Sequence, residues 1–255
     1  MIKILRLIRW KLFTTIFPDK VWLYRRKPLG RGCICNPRFL KPVFRFAKRK
    51  SFTSSAPGGK WWYATLISSL EGFLDESKPC ILDFGGGNGA LGNYISGFYT
   101  SFNYYCLEPA GSTAILDYIV DDRFQYGQFL SDVEVAAISS AQGAVLGSVF
   151  THLDLRSCLE ILERLLPIAK RGGCISFTCF LADEERYLGL NHYKYSSIPT
   201  YHYSFLPFSA FKDFALSNSL KAEVLPYFYS LGDRKLGDGE TSEVVHNVVR
   251  IFSAV

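Results

Sequence analysis

Acidic residues are almost missing from the start of this 255-residue chain: residues 1–60 carry sixteen Lys and Arg against Asp19 alone, a local net charge of +15. The other 195 residues reverse the balance, with thirteen basic and twenty-two acidic groups for a net of −9, so the overall +6 joins two unlike surfaces. Long apolar runs are missing as well. The opening MIKILRLIRWKLFTTIF is interrupted by Lys3, Arg6, Arg9 and Lys11, whereas crossing a bilayer takes about twenty consecutive apolar residues. It also lacks the unbroken apolar centre and small-residue cleavage site of a secretory signal. Zinc-binding spacing is absent, because Cys33-Ile34-Cys35 has neither a partner pair nor a histidine at ligand distance, and no metal is expected. The seven cysteines are odd in number, scattered and mostly set in apolar runs; they read as small core residues of a reducing compartment, so a cytoplasmic location is expected. Internal repeats and low-complexity tracts do not occur.

What is present divides into two parts. Residues 1–59 form a basic extension in which the cations recur among Ile, Leu, Trp and Phe at near-helical spacing until Pro18, which favours an amphipathic helix. Three partners suit it. One is an anionic membrane surface held through residues 1–50, peripheral at the inner face, where Trp10, Phe13, Phe17, Trp22 and Tyr24 would settle. The others are the phosphates of an RNA and the acidic body of the same or a neighbouring subunit. The loop SFTSSAPGGK, residues 51–60, is the boundary.

Residues 60–255 alternate between helical and strand patterns. Trp61 to Leu74 has helical spacing, Cys80 to Phe84 is an apolar strand, Ala90 to Phe98 a short helix and Asn103 to Leu107 a second strand. Arg123 to Tyr126, Gly143 to Phe150 and Cys174 to Phe180 continue the strands, with a helix over Leu155 to Ala169. Ser209 is expected to cap a helix through about Asn218, and Ala222 to Tyr229 with Val244 to Phe252 to form a hairpin. Such alternation implies an α/β fold with a mostly parallel sheet and helices on both faces.

The segment ILDFGGGNGALGNYI, residues 81–95, holds the chemistry. A parallel α/β sheet takes its ligand beyond the carboxyl ends of its strands, and glycines there let the backbone turn sharply and approach the ligand. Gly87-Asn88-Gly89-Ala90-Leu91-Gly92 satisfies the dinucleotide pattern, with Glu108 nineteen residues beyond Gly89 to hold a ribose hydroxyl. Asp83 argues against that pattern, because a carboxylate at the turn repels a pyrophosphate.

Asp83-Phe84-Gly85-Gly86-Gly87-Asn88-Gly89 resembles the first motif of the class I S-adenosylmethionine-dependent methyltransferases. The resemblance covers roughly residues 60–255 and implies a Rossmann-like, seven-stranded, mostly parallel sheet with an antiparallel C-terminal strand. By that likeness Asp83, Gly85, Gly86, Gly87, Asn88 and Gly89 receive the amino-acid end and nucleoside of S-adenosylmethionine. Glu108, followed by Pro109, binds the ribose, Gln128 lies at the adenine, and Ser148 stands at the end of the fourth strand. Leu159 to Thr178 resembles the family's helix, double glycine and fifth strand. Two departures are Ile168-Ala169-Lys170-Arg171 in place of Lys-Pro before the glycines, and Gln142-Gly143 where an acid commonly starts the fourth strand.

The implied reaction is methyl transfer, most simply to a hydroxyl of a small molecule or a lipid-linked glycan. An RNA methyltransferase is an alternative, in which the absence of an Asn-Pro-Pro-Tyr motif after the fourth strand argues against N-methylation of bases but not against ribose methylation; a catalytically silent binding module is another. His152, opening toward the ligand, suits a proton acceptor, although a structural histidine fits the same position. His192, Tyr193, Tyr201 and His202 lie in an aromatic segment suited to covering an acceptor, or to packing on the sheet edge. Trp61, Trp62 and Tyr63 suit either the core or the mouth of the site.

Overall fold

The computed structural model describes residues 60–87, 89–108, 123–129, 131–190, 201–235 and 241–253. The basic extension 1–59, Asn88, Pro109, His192 and Tyr193 lie outside the described residues.

Strand β1 (Cys80–Phe84) is buried along its whole length, as expected of an apolar run with sheet on both sides and helices on both faces. It lies between β2 (Asn103–Leu107) and β4 (Gly143–Leu146), parallel to both, and β3 (Phe124–Gly127) extends the sheet beyond β2. β5 (Cys174–Ala182) continues it beyond β4, again in parallel. The C-terminal hairpin then closes the sheet. β9 (Thr241–Phe252) runs antiparallel along β5 from Cys174 to Cys179, and β8 (Lys221–Lys235) pairs antiparallel with β9. The expected seven-stranded Rossmann-like sheet is therefore present in the order β3-β2-β1-β4-β5-β9-β8.

Two further strands bring the sheet to nine. β5 is nine residues long and β4 four, so β5 outruns its neighbour. Its last three residues, Phe180 to Ala182, pair instead with β7 (Tyr201–Pro207), and β7 pairs antiparallel with β6 (Arg186–Leu190). The end of the segment read from sequence as an aromatic cover, Tyr201 to Tyr203, lies on β7, and the rest of it, residues 191–200, lies outside the described residues.

Side chains alternate across the sheet with the period of two that strands impose. Ile81 and Val145 face a core built with α1 (Lys60–Ser68) and α2 (Ala90–Ile95). Leu82, Phe84 and Leu146 face the other core, built with α3 (Asp132–Ser140), α4 (Leu155–Lys170) and α5 (Phe208–Ser217). α4 shows why the sequence folds this way: Cys158, Leu162, Leu165, Leu166 and Ala169 recur at helical spacing and are buried, and the Asp154 side chain accepts the Ser157 N–H as an N-cap.

Three local details differ from expectation. α1 ends at Ser68 and continues only as turns to Phe73, where Gly72 adopts a left-handed φ of 87°. α5 starts one residue before Ser209, directly from β7, with Pro207 at the N-cap and no side-chain cap bond. Gln142, which stands where the resemblance would place an acid, accepts both the Asp75 and Cys80 N–H groups on Oε1, at 3.1 and 3.0 Å. An amide oxygen therefore ties the loop before β1 to the start of β4.

Candidate functional site

The glycine turn leaves β1 at the carboxyl edge of the sheet. Gly85 and Gly86 both donate their N–H to the Leu107 carbonyl at the end of β2, at 2.7 and 3.2 Å, which folds the turn back over the β1–β2 seam. Gly86 has no room for a side chain: a Cβ there would lie 2.6 Å from Asp83 Oδ2 and 2.7 Å from Cys106 Sγ. Gly87 is different, since its φ of 58° favours glycine while no atom of the described residues lies within 4 Å of the space a Cβ would enter. Gly92, one helical turn on, allows α2 to close on the sheet, where a Cβ would meet Phe124 and Tyr104 at 2.5 Å.

Beneath the turn lies Asp83, only 4% exposed, on the face that Tyr104 and Cys106 share. The Tyr104 hydroxyl donates to Asp83 Oδ2. Burial pushes the Asp83 carboxyl up to about 7; the Tyr104 hydrogen bond opposes the rise and the nearby Glu108 charge adds to it. Tyr63 of α1, half-buried, is pushed up to about 12, by burial and then by the Asp83 charge. The sequence reading set Asp83 to face a ligand's ammonium; the structure places its carboxyl under Gly86, beside Cys106. Glu108 takes the position facing the open side, and its Oε2 accepts the Gly87 N–H at 2.9 Å.

Gln128 follows β3 at the same edge and is exposed. Its neighbour Phe129 stacks on Phe84 with centroids 4.2 Å apart, and the Arg164 guanidinium, paired with Glu134, lies over both rings. This packing fixes the end of β3 against the end of β1.

Beyond β4, Gly147 packs against Leu66 and Trp62 of α1, and Ser148 has a φ of 65°. His152 is exposed in the turn that precedes α4, with its ring 5.5 Å from that of Tyr203 on β7. Behind this pair Phe180 contacts Tyr203 at 5.0 Å and His246 at 4.7 Å, and Trp62 meets His246 edge-on at 5.1 Å. Burial, and then the neighbouring His152, push the His246 imidazole down to about 3, so it stays neutral near pH 7. Trp62 is thus core, while Tyr63 lies nearer the turn. Tyr201 and His202 fall on β7, whose backbone runs beside β5.

The structure brings Asp83, Gly85, Gly86, Gly87, Gly89 and Glu108 together, and joins Ser148 to them because Val149 Cγ2 would lie 2.6 Å from a Cβ on Gly85. Sequence reasoning missed Tyr104, Thr178 and His246, and took Tyr203 only as the end of the aromatic segment 191–203. Tyr104 had a signal, since residues 104, 106 and 108 alternate along β2 and Cys106 pairs with Asp83; the others depend on long-range pairing. Among the described residues no group of His, Cys, Asp or Glu is placed to hold a metal, and no helix is long and apolar enough to cross a membrane.

No protein-family model matches the sequence, and no curated protein is detectably similar to it. Solved structures similar in fold include precorrin-6y C5,15-methyltransferase from Geobacter metallireducens, 13% identical with a TM-score of 0.48, covering 89% of this chain and 98% of that one. The glycopeptide N-methyltransferase MtfA, complexed with S-adenosylmethionine, is 11% identical with a TM-score of 0.46, over 73% of this chain and 91% of that one. The O-methyltransferase NcsB1, in complex with S-adenosylhomocysteine and 1,4-dihydroxy-2-naphthoic acid, is 18% identical with a TM-score of 0.42, over 70% and 49% respectively. The chain has a Rossmann-like sheet, parallel through β5 and closed by an antiparallel strand, which is the fold that the methyltransferase resemblance implies.

Proposed function

We propose that this protein is an S-adenosylmethionine-dependent methyltransferase that acts on a hydroxyl of a small molecule or glycan. The observation that carries the reading is the turn at Gly85 to Gly87: it is closed underneath by Asp83 and Cys106 and, among the described residues, open above Gly87, with the Glu108 carboxylate at its edge. These residues fit the donor. A buried acid below the turn favours a cationic ligand above it, the open glycine leaves room for a nucleoside, and a carboxylate ending β2 suits the two hydroxyls of a ribose. Gln128 borders the adenine end, and Ser148 with Val149 forms the opposite wall.

When bound, S-adenosylmethionine supplies a methyl group already activated by its sulfonium. The chain's own task is to align a nucleophile with that methyl, exclude water and receive a proton. His152 takes the hydroxyl proton, an imidazole being the side chain suited to that exchange. Tyr203 beside it, with Phe180 behind, offers a ring surface to a small acceptor. Tyr201 and His202 of β7, and His192 and Tyr193, which lie outside the described residues, are the further residues assigned to the acceptor in this reading.

Calorimetric titration with S-adenosylmethionine and S-adenosylhomocysteine tests the donor: both bind, and failure of both to bind overturns the proposal. Incubation with methyl-labelled donor and lipid, glycan, small-molecule and RNA fractions then identifies the acceptor class, with label in RNA alone displacing the small-molecule reading. The same proposal gives residues 1–50 to an anionic membrane surface, in keeping with a lipid-linked acceptor; flotation with anionic liposomes depends on that segment, and equal flotation without it removes the assignment.

A further inference from the structure

We propose that Thr178, a buried β5 residue, is a positioning residue for the donor site, and that it acts by holding the Ser148 backbone in its left-handed conformation. The proposal rests on the methyltransferase reading and adds to it a role for Ser148 that is carried by backbone shape rather than by its hydroxyl. Among the described residues two that are not glycine have positive φ, Ser148 at 65° and Ser219 at 59°. Ser219 lies in the turn that ends α5, where left-handed residues are common. Ser148 ends no helix. It follows β4 at the carboxyl edge of the parallel sheet, where α/β folds take their ligands, and a side-chain residue in this conformation persists only where its surroundings impose it.

The surroundings are hydroxyls. The Ser148 N–H donates to Thr178 Oγ1 at 2.8 Å, and the Ser148 carbonyl accepts from Thr151 Oγ1 at 2.8 Å. Thr178 and Thr151 are both fully buried. Thr151 is anchored in turn, its carbonyl accepting the Ser204 N–H of β7 at 2.9 Å. Two groups depend on the direction the chain takes after Ser148. Val149 is the next residue, and its Cγ2 occupies the space beside Gly85, so it sets the width of the glycine turn. His152 comes four residues on, its N–H bonded to the Val149 carbonyl at 3.3 Å. If Ser148 relaxes to the extended region, Val149 and His152 move together, and both the donor wall and the proton acceptor are misplaced. The device also couples the site to β7, because the strand that presents Tyr203 holds the same turn through Ser204.

The test uses the purified full chain, with S-adenosylhomocysteine as the titrant in calorimetry and a thermal melt of each variant. Thr178→Val keeps the shape of the side chain and removes the acceptor for the Ser148 N–H; affinity falls about tenfold, the scale of one buried hydrogen bond, and Thr178→Ser recovers most of it. At Ser148 the order separates backbone from hydroxyl: Ser148→Gly, which tolerates positive φ, binds about tenfold more tightly than Ser148→Val, which is β-branched and does not. Equal loss in both Ser148 variants means that the hydroxyl itself meets the ligand and overturns the proposal. A Thr178→Val protein that melts lower yet binds as the unmodified chain does makes Thr178 a structural residue only, which also overturns it. Should Thr178→Val fail to fold, the Ser148 pair and Thr178→Ser decide the matter. Absence of binding by the unmodified chain removes the donor reading and this proposal together, whereas binding that no variant changes removes this proposal alone.

Discussion

The two ends of the site are built in opposite ways. The proposed donor end centres on the β1–β2 seam, where one stretch of chain between Asp83 and Glu108 supplies both the turn and its supports: Gly86 rests on Asp83, while Glu108 and Tyr104, each 21 residues on, hold Gly87 and Asp83. The proposed acceptor end draws on His152, Phe180 and Tyr203, from the β4 turn, β5 and β7, with Trp62 of α1 and His246 of β9 packed behind them. A site made locally shows in the spacing of residues. One made by convergence of distant strands shows only after folding.

The sharpest break between the two ends falls at His152. Replacing it with Gln removes the proposed proton acceptor and is expected to lower kcat by about 10²- to 10⁴-fold, with a smaller change in KM for the donor. Steady-state kinetics in both substrates would check this, and loss confined to donor binding would move His152 to the donor end. Next in size is the contrast between Gly86→Ala and Gly87→Ala. The first forces a methyl against Asp83 and Cys106 and should cost about 1–3 kcal/mol of stability along with donor affinity. The second meets open space and suffers only the left-handed backbone, about 1–2 kcal/mol, so its melting temperature should fall less. Equal melting temperatures would show that the turn is not packed as described.

The donor end should also read pH. The Asp83 carboxyl titrates near 7 in the folded chain against an ordinary value of 3.8, so between these values the folded state holds a proton that the unfolded state has released. Stability is then fully present below the ordinary value and is lost as pH rises through about 7, with a ceiling on the order of 4 kcal/mol. Binding of a cationic donor has the opposite sign and strengthens as Asp83 ionises. Asp83→Asn should flatten both slopes in denaturant titrations and calorimetry from pH 5 to 8, and Tyr104→Phe should move the midpoint upward by removing the hydrogen bond that favours the ionised form. The smallest effect is expected at the acceptor end. Tyr203→Leu gives up ring contacts with His152 and Phe180, about 0.5–1.5 kcal/mol, and should raise acceptor KM several-fold without altering calorimetric binding of S-adenosylhomocysteine.

Much of the α/β frame was legible because its signals are short-range. The all-apolar β1, the periodic burial of α4 and the polar join between β8 and β9 each lie within one stretch of chain. β6 and β7 were not legible: they exist because β5 extends past the end of β4 and needs a partner there, and residues rich in Tyr, His and Ser carry no alternating pattern that announces it. Capping of α5 by Ser209 failed for a similar reason, since the helix starts straight from the end of β7 and Pro207 takes the cap position.

By itself the sequence determined the alternating strands and helices, the place of the ligand turn and the chemistry of its acid and glycines, because backbone conformation and side-chain periodicity are local properties. Tertiary structure alone decided which way Asp83 points. Strand alternation put it on the face of Tyr104 and Cys106, and β1–β2 pairing buried it under Gly86. It also decided that Thr178 reaches Ser148 across 30 residues of sequence, since only parallel pairing of β4 with β5 places a hydroxyl from one strand at the backbone that leaves the other.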